Sequence, residues 1–276
     1  MRLAHLGPRG TYTEAAAIAF MPDAELLPVA TVTAAVEAVE RGAAGAAVCA
    51  MENALDGGIN ETVDLLLREA MTLRIRGEVV LPVHHVLVGA PGIDLAQAPV
   101  VYSHPSALAQ CRARIAKVAP RARPVAALST TSAIEAALAA PGALAIGNRP
   151  SAELYHATVY ADDIADEPGN ETRFVVLGHE DAPPGGDDKT SLAFTTHHDR
   201  PGSLVEVLSI FSKRGINLTR IESRPTRRAL GTYVFLLDLQ GHREAAPVAE
   251  AIGEARGVTL WLRVLGSYPR WTRGLA

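Results

Sequence analysis

Apolar residues follow a helical period in some segments of the chain and a strand period in others. In residues 203–214, Leu204, Val207 and Phe211 recur at the spacing of one helix face, and Gly215 stands where that helix is expected to end. The surrounding segments complete a β-α-β-β-α-β order, which is typical of a ferredoxin-like domain. The predicted elements are strands at 189–196, 216–225, 231–241 and 258–269, helices at 203–214 and 243–257 with Pro247 in the first turn of the second helix, and a turn at Arg227–Ala229.

Before residue 180, short apolar strands alternate with alanine-rich helices. This alternation is typical of an α/β fold with mostly parallel sheets. A long β segment without a helical period, residues 74–90, could carry the chain from one sheet to another. The predicted strands are RLAHLG (2–7), ELLPVA (25–30), GAAVCA (45–50), VVYSHP (100–105), PVAAL (124–128), ALAIGN (143–148) and TRFVVLG (172–178), and the predicted helices lie at 13–20, 33–40, 60–69, 106–118, 131–139 and 151–156.

Charge divides the chain at the end of this α/β region. The 276 residues include 26 Lys and Arg against 30 Asp and Glu, a net charge of −4. Residues 189–276 hold 13 basic and 7 acidic residues, whereas residues 1–188 hold 13 and 23. The segment HEDAPPGGDD between them has the Pro, Gly and Asp content of a linker. We predict a first domain at 1–180, a linker at 181–188 and a second domain at 189–270.

Composition narrows the class of protein further. Hydrophobic residues make up 48% of the chain and aromatic residues 5%, so a folded core is expected and a base-stacking surface is not. The acidic balance gives no reason to expect a nucleic-acid partner, and no apolar run reaches the roughly 18–20 residues of a membrane span. The N-terminal segment lacks the apolar stretch of a signal peptide, so a cytoplasmic protein is expected.

Histidines and cysteines offer little metal or nucleophile chemistry. The adjacent histidine pairs at 84–85 and 197–198 are expected to place one imidazole inward and one outward, since neighbouring strand residues face opposite sides. Cys49 and Cys111 are too few for a disulfide framework or a multi-cysteine metal site. Both lie in apolar surroundings and are predicted to be buried and inert. The sequence therefore predicts no metal site.

A recurring construction does suggest a ligand: a strand, a short polar loop, and a helix that opens with hydroxyl or amide side chains. It occurs in GPRGTYTEAA, ENALDGGINETVDLL, SHPSALAQC and STTSAIEAAL. Helix N-termini that converge at the carboxyl ends of strands favour a small anion. For the first loop taken alone, an ordinary glycine turn with capping by Thr11 or Thr13 is the favoured interpretation, and only the recurrence of the construction favours a ligand. Arg173, in GNETRF, could add a bidentate carboxylate contact or be a solvated surface arginine.

Four motifs, taken in order, resemble the prephenate dehydratase family: GPRGTYTEAA, ENALDGGINETVDLL, SHPSALAQC and GNETRFVVLG. The later segment from HDRPGSLV through IESRP resembles the phenylalanine-sensing ACT domain fused to it. The resemblance implies a catalytic domain of two lobes, like a type-II periplasmic binding protein. Its second lobe is expected at about 80–157, with two chain crossings between the lobes. Since no chorismate mutase segment precedes these motifs, the monofunctional type is expected.

The family's reaction converts prephenate to phenylpyruvate, water and carbon dioxide. Aromatisation of the ring drives this reaction, so the resemblance implies that no metal and no organic cofactor is needed. It makes Thr172 the catalytic threonine, with Glu52 and Asn53 lining the site and Arg173 holding a carboxylate. The other implied substrate-binding residues are Thr11, Tyr12, Ser103, His104, Gln110, Thr130, Thr131 and Asn170.

The resemblance also implies feedback inhibition by phenylalanine at the ACT domain of a homodimer or homotetramer. Gly202 would let the amino acid approach the first helix of this domain, whose N-terminal amides could bind its carboxylate. Asn217 and Leu218 would line the pocket from the partner subunit. The full implied set is Gly202, Ser203, Leu204, Val205, Asn217, Leu218, Glu222, Ser223, Arg224 and Pro225.

Three segments depart from the family's usual sequence. Ala54 replaces a serine, Ser106 replaces a glutamine, and AIGN at 145–148 replaces AIAS. The missing serine hydroxyl leaves open whether the chain prefers arogenate to prephenate, or is a non-catalytic ligand sensor on the same scaffold. The segment NETRF is intact, which favours the enzyme.

Overall fold

Three β-sheets with flanking helices make up the computed structural model, which describes residues 1–197, 200–226 and 232–272. The turn predicted at Arg227–Ala229 lies outside the described residues, and so does His198 of the second histidine pair.

The chain divides into two compact units, each of which consists of two separate segments of the sequence. One unit consists of Met1–Ile59 and Val80–Phe174, and the other consists of Asn60–Val79 and Val175–Ala276. The twenty residues that begin at Asn60 therefore belong with the C-terminal part of the chain. In the part of the chain that the structure describes, no helix is long and apolar enough to cross a membrane.

Most elements of the first 178 residues begin and end close to their predicted positions. The strands are β1 (Arg2–Leu6), β2 (Glu25–Val29), β3 (Ala46–Asn53), β4 (Gly57–Gly58), β5 (Arg74–Pro82), β6 (Val86–Gly89), β7 (Val100–Ser103), β8 (Arg123–Ala126), β9 (Leu144–Gly147), β10 (Thr158–Ala161) and β11 (Glu171–Gly178). The helices are α1 (Tyr12–Phe20), α2 (Val32–Glu40), α3 (Asn60–Leu66), α4 (Pro105–Gln110), α5 (Arg112–Val118), α6 (Thr130–Ala139) and α7 (Arg149–Leu154).

These strands form two sheets. The first has the order β2-β1-β3-β11-β5, with β4 beside β3, and the second has the order β10-β6-β9-β7-β8. The chain passes from the first sheet to the second between β5 and β6 and returns between β10 and β11. The expectation that residues 74–90 carry the chain between two sheets is confirmed, and so is the expectation of two crossings.

The second sheet corrects the prediction of mostly parallel strands. Its β7 pairs in parallel with β8 and β9, but β6 is antiparallel to both β9 and β10. The cause is local, because β7 follows β6 in the same sheet after residues 90–99, without a crossover α-helix that would let the two strands run parallel. The strand β10 was not predicted, since its four residues TVYA are half-buried and carry little pattern.

Alternate residues of β6 contribute to two different cores. Leu87 packs with Leu144 and Ile146 on one side of the sheet, and Val86 packs with Ile134 on the other. A strand that is covered on both faces has apolar residues in succession instead of alternating with polar ones. This burial explains why β6 carries apolar residues in succession.

The helix predicted at 106–118 is instead two helices, α4 and α5, that meet at Cys111. The carboxylate of Asp166 accepts hydrogen bonds from Ala113 N (2.8 Å) and Arg114 N (2.9 Å), so it caps the start of α5. Asp166 N in turn donates to Gln110 O (2.7 Å) at the end of α4. A capping residue 53 positions away leaves no signal in the local sequence.

Both cysteines are buried, as predicted. Cys49 is 1% exposed and Cys111 is fully buried, and burial raises the pKa of the Cys111 thiol to about 12. The split of the first histidine pair is also confirmed, because His84 is exposed whereas His85 is buried. Thr11 accepts a hydrogen bond from Glu14 N (3.3 Å) and caps α1.

The C-terminal elements confirm the ferredoxin-like pattern. They are β12 (Asp188–Thr195), α8 (Ser203–Lys213), β13 (Leu218–Pro225), β14 (Tyr233–Gln240), α9 (Ala246–Val258) and β15 (Trp261–Pro269). The sheet order is β13-β14-β12-β15 with every pair antiparallel. Both helices share one apolar core with the sheet, around Phe194, Phe211 and Ile252. Pro247 lies in the first turn of α9, as predicted, but this helix runs past Gly257 to Val258.

Gly266 is the glycine of β15 whose missing side chain the packing requires. Its φ is +155°, and a Cβ built there would lie 2.0 Å from the backbone oxygen of Ile75. Ile75 belongs to β5, in the stretch 60–79 that groups with the C-terminal unit. Close approach of two backbones therefore fixes glycine at this position.

We expect Gly266→Ala to lower the free energy of unfolding by at least about 2 kcal/mol, because the backbone must shift to admit the methyl group. Gly253→Ala, on the exposed side of α9 with no atom within 4 Å of the new Cβ, is the matched control and should raise stability by about 0.5–1 kcal/mol. Denaturant titration of both variants measures the difference. Equal stabilities would contradict the close approach.

Candidate active site

The end of β3 lies beside the start of β11, and their polar side chains meet there. The amide nitrogen of Asn53 donates to Asn170 Oδ1 (2.8 Å) and to Thr172 Oγ1 (2.9 Å). Ala54 N donates to Glu171 O (2.8 Å), which ties the two strands together at the same point. These residues are 117 to 119 positions apart in the sequence, so only the sheet order brings them into contact.

The backbone fixes the orientation of the Asn53 amide. Its oxygen accepts hydrogen bonds from Leu55 N and Asp56 N, each at 3.0 Å. An N–H group can only donate, so the oxygen of this amide must face the turn and its nitrogen must face Thr172 and Asn170. The assignment of the amide thus follows from its partners.

Gln110 completes a closed ring of side chains. Its oxygen accepts from Asn170 Nδ2 (2.9 Å), and its nitrogen donates to Asp56 Oδ2 (2.9 Å). Asp56 is also the residue whose backbone N–H holds Asn53. We call these four residues, Asn53, Asn170, Gln110 and Asp56, the amide ring. Since a carboxylate only accepts and an N–H only donates, every hydrogen bond in the amide ring has one direction.

The amide ring determines what the hydroxyl of Thr172 can do. Thr172 is 8% exposed, and its oxygen accepts from Asn53. Among the residues that the structure describes, none accepts a hydrogen bond from this hydroxyl. The proton of Thr172 is therefore available to a bound molecule, and the oxygen is held where that proton can be presented.

Arg173 forms an ion pair with Glu52, with 3.7 Å between Nη1 and Oε2. Residues 172 and 173 are consecutive on β11, and residues 52 and 53 are consecutive on β3. Because successive strand residues face opposite sides, the ion pair lies on the other side of the two strands from Asn53 and Thr172. The arginine is 8% exposed, so its buried charge is neutralised by a carboxylate of the protein.

The predicted residues from the second sheet differ in how far their hydroxyls are occupied. Ser103 is fully buried and donates to Ile146 O (2.8 Å), and Thr131 is fully buried against Ser151 Oγ (2.9 Å). Thr130, the first residue of α6, is half-buried. His104 is exposed, and its Nδ1 accepts from Ser106 N (3.3 Å) to cap α4.

Ser106, one of the departures from the family sequence, donates its hydroxyl to Asp56 Oδ2. Gln110 donates to the same carboxylate oxygen. Both ends of α4 are thereby fastened to Asp56 of the amide ring. Asp56 had no predicted role, although it stands in the motif ENALDGG.

The loop between β1 and α1 is held by residues near the second sheet. Gly10 O accepts from Asn148 Nδ2 (2.8 Å) and from Ser151 Oγ (2.6 Å). Tyr12 donates its hydroxyl to His84 O (2.6 Å), and burial raises the pKa of its phenol. Asn148 and Ser151 were not predicted as site residues, and the only signal was the departure of AIGN from the family pattern.

Taken together, the structure brings Asn53, Gln110, Asn170 and Thr172 into one hydrogen-bonded group, and it adds Asp56. Glu52 and Arg173 pair on the other side of the two strands. In residues 1–197, 200–226 and 232–272 no three His, Cys, Asp or Glu side chains cluster as ligands for a metal ion. The group can therefore hold polar atoms in fixed directions and supply one hydroxyl proton.

The predicted ligand residues at the start of α8 are partly open. Gly202 precedes the helix with φ of +81°, and Ser203 donates to Thr196 Oγ1 (3.2 Å). Val205 is 63% exposed, whereas Leu204 packs against the C-terminal core. At the other predicted position, Asn217 O accepts from Gln240 N (2.9 Å), and Leu218 also packs against that core.

The residues of the ESRP segment on β13 differ from one another in exposure. Ser223 and Pro225 are exposed, and Glu222 pairs with Arg220. Arg224 is 8% exposed and pairs with Asp64 Oδ1 (2.8 Å) on α3.

Two arginines hold α3 at its two ends. Arg224 also donates to Asn60 O (3.2 Å), at the first residue of α3. Arg263 donates to Leu66 O (2.6 Å) and Arg68 O (2.7 Å), where the helix ends and its carbonyl groups need partners. A cavity of about 780 Å³ lies beside these contacts and is lined by Asp64, Arg224, Pro225, Trp261 and Arg263 among others.

The fold places this protein in the class of α/β proteins in which a region of two sheets is followed by a ferredoxin-like domain. A sequence model described as prephenate dehydratase matches residues 3–182, and a model described as ACT domain matches residues 190–257. The chain belongs to the prephenate dehydratase family and carries an ACT domain at residues 190–257.

Curated relatives cover nearly the whole chain. A bifunctional chorismate mutase/prephenate dehydratase of Aquifex aeolicus is 39% identical over 98% of this chain and 74% of the relative. A prephenate dehydratase of Mycolicibacterium vanbaalenii is 37% identical over 97% of this chain and 90% of the relative. Arogenate dehydratase 1 of Petunia hybrida is also 39% identical, over 98% of this chain and 67% of the relative.

Solved structures share the fold over the same length. The prephenate dehydratase of Arthrobacter aurescens, in complex with L-Phe, has a TM-score of 0.88 and 37% identity over 98% of this chain and 90% of that one. A protein described as a novel type of quorum-quenching acylase has a TM-score of 0.85 and 32% identity, with 98% of both chains covered. One fold thus accompanies more than one described activity.

Proposed function

We propose that the chain converts prephenate to phenylpyruvate, water and carbon dioxide. The observation that carries this proposal is the hydroxyl of Thr172, whose oxygen accepts from Asn53 and whose proton has no acceptor among the described residues. The reaction expels a hydroxyl group from the ring of prephenate, and a leaving hydroxyl needs a hydrogen-bond donor. The family relation supports the same substrate class.

The chemistry balances with Thr172 as the donor. The bond between the ring and the carboxylate breaks, its electron pair becomes part of the aromatic ring, and the bond from the ring to the hydroxyl oxygen breaks. Thr172 donates its hydrogen bond to that departing oxygen, and solvent supplies the net proton that makes water. A positioned proton donor contributes typically 10²–10⁴ in rate, so orientation of the substrate must supply the rest.

Two carboxylates of the substrate need partners. The proposed partners are Arg173 and the N-terminal amides of α1 and α6, where the helix dipole favours negative charge. For Arg173 to bind a carboxylate, its pair with Glu52, which lies on the other side of the two strands from Thr172, must open so that the guanidinium can turn toward the substrate. Thr11, Tyr12, Thr130 and His104 stay predictions as wall residues.

We propose that phenylalanine regulates the enzyme by binding to the ACT domain, with Gly202 and the ESRP segment (222–225) as its binding residues. Arg224 of that segment holds Asp64 and Asn60 of α3. The chain runs directly from Asn53 and Asp56 of the amide ring into α3. A ligand that moves Arg224 can therefore act on Asp56 of the amide ring through the continuous chain of residues 56–64. L-Phe is bound in the solved structure of one relative.

A homodimer or homotetramer in which Asn217 and Leu218 complete the phenylalanine pocket of the partner belongs to the same proposal, and a cytoplasmic location stays a prediction.

Relatives named arogenate dehydratase are as similar as those named for prephenate, so arogenate is the second candidate substrate. The purified protein should be supplied with each compound separately and with both in competition. Phenylpyruvate from prephenate supports the proposal, phenylalanine from arogenate alone moves it to the second substrate, and no product from either overturns it.

Thr172→Val should lower kcat by about 10²–10⁴ because valine keeps the shape of threonine and lacks the proton donor. Thr172→Ser, which keeps the hydroxyl, is the matched control and should retain most of the activity of the unmodified protein. Phenylpyruvate formation at saturating prephenate measures both. Turnover of Thr172→Val within a few-fold of the unmodified protein would remove Thr172 from the mechanism.

Asp64→Asn should raise the phenylalanine concentration needed for half inhibition by about tenfold, within the range of ordinary allosteric coupling, because Arg224 loses its charged partner. Turnover without phenylalanine should stay within about twofold. Glu61→Gln is the control, since Glu61 is an exposed acid on the same helix. Unchanged inhibition in Asp64→Asn would show that α3 does not carry the signal.

A further inference from the structure

His85 is a buried histidine that contacts the amide ring from outside. It lies between β5 and β6 and is 3% exposed, whereas its neighbour His84 is exposed. Its Nε2 lies 2.9 Å from Gln110 Oε1. No role was predicted for this residue from the sequence, where it appeared only as the inward member of a histidine pair.

The amide ring determines which nitrogen of His85 carries the hydrogen. Gln110 must present its nitrogen to the carboxylate of Asp56, so its oxygen faces His85 and Asn170. An oxygen can only accept, and therefore His85 Nε2 is protonated and donates to it. The neutral ring then leaves Nδ1 as an acceptor, and this buried atom has no partner among the residues that the structure describes.

The contact occupies the second lone pair of Gln110 Oε1. With Asn170 and His85 both donating, this oxygen has its full set of two hydrogen bonds. Without His85, one buried lone pair of Gln110 Oε1 is unsatisfied, although Asp56 and Asn170 still set the direction of the amide. Gln110 is then held by one contact fewer, and the position of Asn170 beside Asn53 and Thr172 becomes less well defined.

We propose that His85 is a positioning residue of the reaction: it holds Gln110 in place, and through Asn170 and Asn53 it steadies the position of the Thr172 hydroxyl. This inference rests on the function proposed above. His85 touches no reacting atom, since Gln110, Asn170 and Asn53 stand between it and Thr172. Its effect is on geometry, so it should change kcat and leave substrate affinity nearly as it was.

Steady-state kinetics of three variants test the proposal. His85→Leu keeps an apolar body of similar size and loses the donor, and it should lower kcat by about tenfold to a hundredfold with KM within about threefold. His85→Gln places an amide N–H near the position of Nε2 and should recover most of kcat. His84→Ala, which changes the exposed neighbour and leaves its backbone oxygen for Tyr12, should behave as the unmodified protein.

Thermal unfolding of each variant separates a loss of folding from a loss of positioning. A folded His85→Leu with unmodified kcat, or a folded His85→Gln as slow as His85→Leu, would overturn the proposal. Equal loss from any change at this position would indicate a packing role alone.

A measurement without substrate distinguishes failure of this proposal from failure of the proposed function. Nitrogen NMR of histidine-labelled protein should show His85 neutral with the hydrogen on Nε2, and Gln110→Leu should shift that signal while leaving His84 unchanged. If the unmodified protein fails to convert prephenate, the proposed function is wrong, yet the NMR result still decides the contact. A hydrogen on Nδ1, or a signal that ignores Gln110→Leu, would overturn the role of His85.

Discussion

The amide of Asn53 is the constraint on which the rest of the candidate site depends. Two backbone N–H groups donate to its oxygen, so its nitrogen faces Asn170 and Thr172 and donates to both. The directions of the other hydrogen bonds in the amide ring agree with this orientation: Asn170 donates to Gln110, and Gln110 donates to the carboxylate of Asp56. Leaving one buried partner of such a network unsatisfied costs about 1–3 kcal/mol, which is enough to keep the alternative orientations sparsely populated.

The same constraint separates this site from its scaffold. A relative with 98% of both chains covered is described as an acylase, so the two sheets and the ferredoxin-like domain do not define an activity by themselves. The proposed reaction needs a hydroxyl group whose oxygen already accepts a hydrogen bond from the protein and whose proton is available to the substrate. Thr172 meets this requirement without a metal ligand set or a reactive cysteine in the described part of the chain, where Cys111 has a pKa of about 12.

Periodicity predicted the elements well, because apolar spacing and capping residues are local. It could not predict the break at Cys111, where Asp166 caps α5 from 53 positions away. The motifs pointed to Asn53, Gln110, Asn170 and Thr172 as separate residues. Their joining into a ring, and the parts of Asp56 and His85, depend on contacts between residues 25 to 119 positions apart. The pairing of Arg173 with Glu52 likewise required the observed register of two strands.

The most direct test of this account is a double-mutant cycle between Asn53 and Thr172. Asn53→Asp keeps the oxygen that Leu55 and Asp56 hold, but it replaces the donor with a carboxylate that accepts the Thr172 proton. The account predicts that Asn53→Asp loses about as much kcat for prephenate as Thr172→Val, and that the double variant is no slower than either. Losses that multiply in the double variant, or an Asn53→Asp enzyme with unmodified kcat, would contradict it.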